Sequence, residues 1–282
     1  MKVTTLTENN RLEERTDLLS EHGLSLHIRY GDRQILFDTG ISDAFAKNAE
    51  KLGVDLGEVD TVVISHHHYD HGGGLSHFLA ANSSAKVHLR RWDGGECWFK
   101  GLLIVKRFVG LDRELFGRFP GRFEMADRET VIAPGIHLLT EIELPHPVPV
   151  GNRKLFTVKD GVWRRDPFDH ELILVIEEGN GLVVFSGCSH RGILNILDAV
   201  VRRFPGNPIK AVLGGFHLIA TPVLNTMAGG RRGIERLGHA LAEYPVERYY
   251  TGHCTGLKAF RILKRVMGER IQYLPTGSRV EI

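Results

Sequence analysis

The chain has 282 residues, a formal net charge of +2, 42% hydrophobic residues and 25% charged residues. This balance is ordinary for a globular protein, gives no argument for a nucleic-acid or membrane partner, and includes no apolar run near the ~20 residues of a membrane span. Three cysteines give no disulfide framework. The sequence turns polar within residues 4–10, too early for a signal peptide, so we expect a cytoplasmic protein.

Short strands and one helix are predicted for the first part of the chain. Alternating apolar and polar residues predict a first strand and then the two strands of a hairpin, at 2–7, 24–28 and 34–40. Ser42 is a suitable N-cap for a helix whose apolar stripe reaches Leu52, and Gly53 ends that helix. The β-branched run at 61–64 then predicts a buried strand.

The segment from about 91 to 168 has weak periodicity. It holds all three Trp residues with many Phe and several Pro residues, and it is too apolar for a disordered linker. We expect a loop-rich insertion with short strands that acts as a lid over the metal site, because long ordered loops are usually functional. The chain as a whole, 1–282, is expected to form a single domain.

Strand–helix units are predicted after residue 171. Strands are expected at 172–176, 182–186, 210–213 and 248–250, helices at 193–204, through 237–241 and at 257–267, and a pair of strands at the end. Several strands end in a glycine-rich turn that carries His or Cys. Because the carboxyl ends of strands in an α/β sheet gather ligands at one edge, residues far apart in sequence can meet there.

Four His residues and one Asp lie within 66–71, directly after the strand at 61–64. Neutral imidazole is the commonest metal ligand, and a strand end can hold ligands in fixed geometry. His66 and His68 alternate along an extended loop and share one side, whereas Asp70 and His71 can turn toward a second point. Neither pair completes a four-ligand site, so each needs a ligand from elsewhere. The turns after the later strands supply His190, His217 and His253.

Two motifs resemble those of a known family. The run 65–71 matches the His-X-His-X-Asp-His signature of the metallo-β-lactamase superfamily, and Asp38-Thr39-Gly40 matches that superfamily's strand ending in Asp-Thr-Gly. The segments 21–25, 187–190, 214–218 and 253–256 are similar to a subgroup that includes a methanopterin-pathway synthase. The resemblance covers nearly the whole chain. It implies an α/β protein, an αββα four-layer sandwich of the metallo-β-lactamase type with a loop-rich insertion.

The resemblance also implies two divalent metal ions. It assigns as ligands His66, His68 and His190 for the first ion, and Asp70, His71 and His253 for the second. Asp38 falls on a residue that supports the metal-binding loop without ligating. His67 lies between two ligands and is expected to point away from the metal.

The chain departs from the superfamily at Cys188, where most members have an Asp that bridges both metals. Cys188 is therefore expected either to bind metal or to support the ligands. A thiolate would favour zinc, and without it the imidazole and carboxylate ligands suit zinc, iron or manganese. We expect zinc, with iron or manganese as alternatives.

Further residues are expected to act on the substrate. His217 is expected to line the pocket and to serve in catalysis with Asp70. Gly192 and Gly256 each precede a helix whose free N–H groups favour an anion. Substrate contacts are expected from Asn9, His22, Ser189, Arg191, Thr255 and Lys258.

These features predict a metal-dependent enzyme that acts on a small anionic substrate, phosphorylated or pterin-like. A metal-bound water would attack a phosphoester, lactone or similar bond. The resemblance also implies a transferase reaction, in which a pterin is joined to a ribofuranosylaminobenzene phosphate with loss of pyrophosphate. The sequence does not choose between hydrolysis and transfer, because the same cations stabilise either anion.

The alternative from another class is a di-iron redox or sensor protein of the same fold. Members of that kind use a flavodoxin partner domain and a bridging carboxylate, and neither is evident in this sequence. A nuclease is disfavoured by the near-neutral charge. We therefore expect no nucleic-acid partner and no membrane partner.

Overall fold

The computed structural model describes residues 1–101, 105–221 and 226–282. The chain divides into two compact units. The first unit contains 1–127, 153–170 and 275–281, and the second contains 128–152, 171–274 and Ile282. The predicted insertion is thus shared between the units, and its role as a lid stays a prediction, as does the single domain over 1–282. No helix in the described ranges is long and apolar enough to cross a membrane.

The main sheet of the first unit has seven strands. They are β1 (Lys2–Thr7), β2 (Ser25–Tyr30), β3 (Arg33–Phe37), β4 (Thr61–Ile64), β5 (Lys86–Arg90), β8 (Phe123–Ala126) and β20 (Arg279–Glu281). Their order is β20-β1-β2-β3-β4-β5-β8. The strands from β20 to β3 are antiparallel, and those from β3 to β8 are parallel. The sheet is therefore mixed, and the predicted hairpin is β2 and β3.

Helices cover one face of this sheet. They are α1 (Ala44–Leu52), α2 (Tyr69–Gly72), α3 (Leu75–Ala81) and α4 (Glu114–Arg118). Phe45 of α1 and Phe78 of α3 are fully buried, in one apolar cluster with Val62 and Ile64 of β4. Each such side chain contributes about 1.5–3 kcal/mol by leaving water. The strand that leads into the histidine run is therefore firmly anchored.

A second, four-stranded antiparallel sheet belongs to the first unit. Its strands are β6 (Glu96–Lys100), β7 (Lys106–Phe108), β11 (Leu155–Lys159) and β12 (Val162–Arg165), in the order β12-β11-β6-β7. Cys97 and Leu155 on one face are buried, with Val109 and Phe168 in the same cluster. The described part of the insertion is thus more regular than expected. Local periodicity could not show this, because β6 pairs with a strand more than fifty residues away.

The main sheet of the second unit also has seven strands and is mixed. They are β9 (Thr130–Ala133), β10 (Ile136–Leu139), β13 (Ile173–Glu178), β14 (Gly181–Ser186), β15 (Ile209–Gly214), β18 (Val246–Thr251) and β19 (Ile271–Tyr273). Their order is β19-β18-β15-β14-β13-β10-β9. A separate pair is formed by β16 (Ile219–Thr221) and β17 (Thr226–Met227).

Three helices pack against this second sheet. They are α5 (Ile193–Arg203), α6 (Gly230–Glu243) and α7 (Gly256–Met267). Ile196, Leu241 and Leu263 are fully buried in a cluster with residues of β14, β15 and β18. Short 3-10 turns occur at Leu56–Glu58, Val150–Lys154, His253–Thr255 and Gly268–Arg270.

Parallel pairing brings three chain segments to one edge of the second sheet. β14 pairs with β15 and β15 with β18, with Ser186 opposite Gly214 and Gly214 opposite Thr251. The turns that follow these three residues therefore start side by side. The expectation that distant segments meet at strand ends holds within this unit.

Two local expectations are wrong. The strands near the C-terminus do not pair with each other, because β19 joins β18 and β20 joins β1 in the other sheet. The N-cap residue of α1 is Asp43, although its side chain makes no capping hydrogen bond. Ser42 still accepts a hydrogen bond from the Ala44 N–H (3.1 Å) and donates one to Glu21 (2.6 Å).

Asn48 of α1 connects the helix to two neighbouring segments of the first unit. Its buried amide donates to the carbonyls of Leu6 (2.7 Å) and Leu19 (2.8 Å) and accepts from the Leu19 N–H (2.9 Å). Asn48→Ala leaves these buried backbone groups unpaired, so we expect it to lower the free energy of unfolding by about 2–4 kcal/mol. Urea unfolding of metal-free protein measures this. The exposed Asn207→Ala is the control, and equal losses in both variants would contradict the assignment.

Candidate metal centre

The histidine run begins where β4 ends, and a buried carboxylate fixes its first turn. Asp38 accepts hydrogen bonds from the Ser65 N–H (2.8 Å), the Ser65 hydroxyl (2.8 Å) and His71 Nδ1 (2.6 Å). Thr39 adds a hydrogen bond from its N–H to the His71 carbonyl (2.7 Å). Asp38 therefore holds both ends of the run. This contact pattern agrees with the supporting role that the resemblance implies for Asp38.

These contacts determine which nitrogen of two imidazoles carries the proton. The Ser65 hydroxyl gives its hydrogen to Asp38, so it must accept from His66 Nδ1 at 2.9 Å. His71 Nδ1 donates to Asp38. The lone pair is consequently on Nε2 in both His66 and His71, and both side chains are fully buried.

His66 and His68 face each other through the two nitrogens expected to bind the first metal. His66 Nε2 lies 3.1 Å from His68 Nδ1. Two nitrogens bound at about 2.0–2.1 Å to one tetrahedral zinc are about 3.3 Å apart. The pair is therefore spaced as two ligands of one ion, in agreement with the alternation of the sequence.

Asp70 and His71 lie in α2, one turn further on. His71 Nε2 is 4.0 Å from Asp70 Oδ2, and His22 Nε2 is 3.4 Å from the same oxygen. Asn9 accepts from the Gly23 N–H (3.3 Å), which directs its NH₂ group to His22 Nδ1 (3.3 Å). His22 therefore keeps its proton on Nε2, beside Asp70. Asn9 and His22, predicted as substrate contacts, are brought to Asp70 by this chain of hydrogen bonds.

Gly23 must be glycine for this arrangement. A Cβ atom there would lie 2.7 Å from the Asp70 carbonyl oxygen, well inside contact distance. The Leu24 N–H donates to that same carbonyl (3.2 Å). The backbone before β2 thus approaches α2 too closely for any side chain at this position.

His67 points away from the pair formed by His66 and His68, as expected. Its Nε2 donates to the carbonyl of Arg90 at 2.8 Å. Burial, aided by the neighbouring His170, lowers the pKa of His67 to about 3. The ring is thus neutral and bound to the backbone on the far side of the loop.

In the second unit, His190 follows β14 and has its orientation set by Asn152. The Asn152 NH₂ group donates to the His190 carbonyl (2.7 Å), so its oxygen must accept from His190 Nδ1 (3.0 Å). The lone pair of His190 is therefore on Nε2. Buried Glu171 accepts from the N–H groups of His190 (2.7 Å) and Arg191 (2.8 Å), which fixes the turn.

Cys188 lies among the other candidate ligands of the second unit. Its sulfur forms one group with His190 and His217, and another with His253 and Cys254, with all potential ligand atoms of a group within 4.8 Å of one another. The rings of His190 and His217 are 4.2 Å apart. Burial raises the pKa of the Cys254 thiol, but its contacts with Cys188 and two imidazoles lower it by more. The position of the usual bridging Asp is thus occupied by a thiol among imidazoles.

His217 requires glycine at position 151 of the same unit. A Cβ atom on Gly151 would lie 2.8 Å from His217 Nε2 and 2.7 Å from its Cδ2. A side chain at position 151 would displace the ring. The backbone before β11 thus forms one wall of the space that His217 occupies.

Backbone strain is concentrated at these positions. Asp38, Ser189, His217 and His253 all have φ between 48° and 60°. Such conformations are unfavourable for residues with a side chain, and they cluster at functional sites when the surroundings hold them in place. In this chain they occur just after strand ends, and at Asp38 the hydrogen bonds described above hold the conformation.

The remaining predicted substrate residues have mixed environments. Ser189 is buried and donates to the Gly215 carbonyl (2.7 Å), and Thr255 is buried and accepts from the Phe216 N–H (2.9 Å). Arg191 donates to the Ile142 carbonyl (2.6 Å). Lys258 is exposed on the first turn of α7. Three of the four side chains therefore make hydrogen bonds to backbone groups of neighbouring turns.

Sequence reasoning did not find Asn152, Glu171 or the buried group of Cys97, Asp166 and His170. Asp166, Asp169, His170 and Glu171 form a polar cluster directly before the buried strand β13. That cluster could have indicated these residues, since a charged side chain buried before a strand needs a partner of opposite charge or a hydrogen-bonding group. Asn152 gave no such signal, because nothing local distinguishes it from a loop residue.

The donor set fits divalent metal ions. In the first unit, two Nε2 lone pairs and one Nδ1 lie beside a carboxylate, and in the second unit an imidazole Nε2 lies beside a thiol. Neutral imidazole with carboxylate or thiolate is the ligand chemistry of zinc and of other first-row ions. The rings of His66, His71 and His190 are held through their other nitrogen, as metal-binding imidazoles are.

The family model of the metallo-beta-lactamase superfamily matches residues 21–221, which is more than half of the chain. The chain is similar to the 7,8-dihydropterin-6-methyl-4-(beta-D-ribofuranosyl)-aminobenzene-5'-phosphate synthase of Methanocaldococcus jannaschii. The two are 27% identical over an alignment of 292 positions, which covers 100% of this chain and 96% of that protein.

Solved structures agree with this match. Tm1679, described as a metal-dependent hydrolase of the beta-lactamase superfamily, superposes with a TM-score of 0.83 and 34% identity over 100% of this chain and 99% of that one. Zinc-bound PqqB from Methylobacterium extorquens shares the fold, with a TM-score of 0.61 and 12% identity over 100% of both chains. The predicted α/β fold, with two mixed sheets flanked by helices, is confirmed. The chain belongs to the metallo-β-lactamase superfamily.

Proposed function

We propose that this protein is a metal-dependent enzyme that hydrolyses a small anionic substrate. The observation that carries the proposal is the distance of 3.1 Å between His66 Nε2 and His68 Nδ1. The hydrogen bond from His66 Nδ1 to the Ser65 hydroxyl leaves the lone pair of His66 on Nε2, facing His68. We propose ligands for two divalent ions, with support from the superfamily signature and from the geometry within each unit. They are His66, His68, Asp70, His71, His190 and His253.

The bound ions would lower the pKa of a coordinated water and stabilise the oxyanion that forms when it attacks an ester, phosphoester or lactone. The protein's own residues have separate tasks. Asp38 and Asn152 orient His71 and His190 through their Nδ1 atoms. His22 directs the proton on its Nε2 at Asp70 Oδ2, 3.4 Å away, and so orients that carboxylate. Asp70 and His217 are proposed as the groups nearest to the reacting bond.

Zinc is the proposed metal, since Cys188 offers a soft ligand and the other donors are imidazoles and carboxylate. The substrate is proposed to be anionic because Lys258, with Arg191 and the first turn of α7, can hold a phosphate or carboxylate. The sheet formed by β6, β7, β11 and β12 is proposed as the lid. In its support, Tyr69 of the metal-binding loop donates from its N–H to the Val109 carbonyl (2.9 Å).

A transferase is the second candidate function. Its support is the full-length similarity to the methanopterin-pathway synthase, at 27% identity. In such a reaction the ions would neutralise a diphosphate leaving group in place of activating water. A di-iron redox protein, the alternative from another class, is favoured by no observation on the described residues. Iron with a visible chromophore in freshly purified protein would support it. A cytoplasmic location without membrane or nucleic-acid partners stays a prediction.

Removal of one ligand from either proposed ion should remove metal and activity. We expect His68→Ala and Asp70→Ala to lose at least one metal equivalent and to lower turnover more than about 100-fold, because ligand loss exceeds the effect of losing a supporting residue. Metal analysis and circular dichroism measure metal content and folding. His239→Ala, on the exposed face of α6, is the control. Wild-type metal content in either variant would show that the assignment is wrong.

Asn152 should control metal affinity through His190. Asn152→Leu removes the acceptor for the His190 Nδ1 proton, and we expect zinc to bind about 10–100-fold more weakly. Asn152→Asp keeps an acceptor and should bind zinc nearly as tightly as the native protein. Competition with a chromogenic chelator gives both affinities. If the Leu variant bound zinc as tightly as the Asp variant, His190 would not be a ligand oriented by Asn152.

A substrate screen separates the two candidate functions. Metal-loaded protein is expected to hydrolyse a p-nitrophenyl phosphodiester or a lactone, with activity lost on chelation and restored by zinc. Pterin diphosphate offered with an aminobenzene acceptor tests transfer, since product formation would release pyrophosphate. Pyrophosphate release without ester or lactone hydrolysis would favour the transferase over the proposed hydrolase.

A further inference from the structure

A second group of potential ligand atoms lies behind the proposed metal-binding loop, within the first unit. Four buried side chains place these atoms within 4.8 Å of one another: His68, Cys97, Asp166 and His170. Of these, only His68 belongs to the superfamily signature. Cys97 is on β6, and the other two lie in the turn between β12 and β13.

The backbone sets the tautomer of His170. The His67 N–H donates to His170 Nδ1 at 3.2 Å, so that nitrogen carries no proton. The proton of the neutral ring is therefore on Nε2. From there it is directed at Asp166 Oδ2 (3.2 Å) and at the sulfur of Cys97 (3.8 Å).

This direction of hydrogen bonding argues against two other roles for the group. A nitrogen that carries a proton cannot bind a metal, so His170 Nε2 is not a ligand in this arrangement. In a catalytic triad, the nucleophile and the carboxylate contact opposite nitrogens of the imidazole. In this group, Asp166 and Cys97 both face Nε2 of His170, so they do not form a triad.

What the group offers is a set of acceptors for His68. His68 Nε2 lies 3.9 Å from Asp166 Oδ2, on the side of the ring opposite to the nitrogen that faces His66. The sulfur of Cys97 lies within 4.8 Å of the His68 ligand atom in the same group. In the metal-loaded protein, the negative charge of Asp166 at this distance would attract a proton on Nε2 of His68 and so favour the tautomer whose lone pair is on Nδ1.

We propose that Asp166 and Cys97, held in place by His170, are positioning residues that keep the His68 proton on Nε2 and aim its Nδ1 lone pair at the first metal ion. This inference rests on the proposed function, because it concerns a ligand of that metal centre. A carboxylate behind a metal-binding imidazole typically raises its basicity and fixes its orientation. Asp166 would supply this support from the turn after β12 rather than from the metal-binding loop itself.

The turn that carries Asp166 is built to hold it rigidly. Its other oxygen, Oδ1, accepts from the Phe168 N–H (2.8 Å), and its own N–H donates to the Leu155 carbonyl (3.2 Å). Phe168 is buried with φ at 57°, a strained conformation that the surrounding contacts maintain. Trp92 packs edge-on against the ring of His170 at 4.8 Å. The position of the carboxylate is thus fixed from several sides.

The test compares Asp166→Asn with Asp160→Asn. The first variant keeps the shape of the side chain but places an NH₂ group against the ring protons of His68 and His170. The second changes an exposed Asp in the turn between β11 and β12. We expect Asp166→Asn to weaken zinc binding about 10–100-fold and Asp160→Asn to leave it unchanged. Chelator competition gives the affinities, and thermal melting of the metal-free proteins separates a loss of stability from a loss of affinity.

Long-range proton–nitrogen NMR of the histidine rings in the zinc-loaded native protein tests the tautomer directly. His68 is expected to show a protonated Nε2 and a metal-bound Nδ1, and its signals are identified by their absence in His68→Gln. A metal-bound Nε2 in His68 would overturn the inference. So would equal zinc affinity in Asp166→Asn and the native protein.

Cobalt substitution tests whether the group itself holds the metal. A thiolate-to-cobalt absorption band that disappears in Cys97→Ser would show that Cys97 is a ligand, and the inference would be wrong. An unchanged cobalt spectrum in Cys97→Ser supports it. A native protein that retains no zinc would contradict the proposed function and this inference together, whereas tight zinc binding in every variant would contradict this inference alone.

Discussion

The metal-binding proposal depends on one recurring interaction, the hydrogen bond that three of the proposed imidazole ligands make through their second nitrogen. His66 uses Ser65, His71 uses Asp38 and His190 uses Asn152. In each case the partner is itself fixed by a further bond to the backbone or to a buried side chain. A neutral imidazole has one proton to place, so fixing it on one nitrogen leaves the lone pair on the other. The chemistry of the proposed centre is therefore decided by residues that do not touch the metal.

The partners Ser65 and Asp38 and the proposed ligand His190 lie at the ends of strands of the two main sheets. Ser65 follows β4, whose apolar side chains are fully buried, and His190 follows β14, which is buried along its whole length. Rigid strands let the turns after them adopt strained backbone conformations without relaxing. The strain at Asp38 and His253 is consistent with this, since a flexible turn would not keep a side-chain residue at positive φ.

The sequence predicted the parts of the molecule that follow local rules. The short apolar strands, the helices with one apolar face and the histidine signature were all predicted from the sequence. The superfamily and its fold are confirmed. Pairing between distant segments could not be predicted from local patterns. The pairing of β6 with β11, and the pairing of β19 and β20 with strands of different sheets, were therefore not predicted. Asn152 and Asp166 were missed for the same reason, because their roles depend on neighbours that are distant in sequence. The ligand assignment stays a proposal, since the geometry supports it within each unit separately.

The central claim is that neutral imidazoles with fixed tautomers hold the metal. X-ray absorption spectroscopy of the zinc-loaded protein tests it most directly. The account predicts a first shell dominated by nitrogen and oxygen at about 2.0–2.1 Å, with the outer-shell scattering of several imidazole rings and at most one sulfur, from Cys188. A shell dominated by sulfur at about 2.3 Å, or one without imidazole scattering, would contradict it.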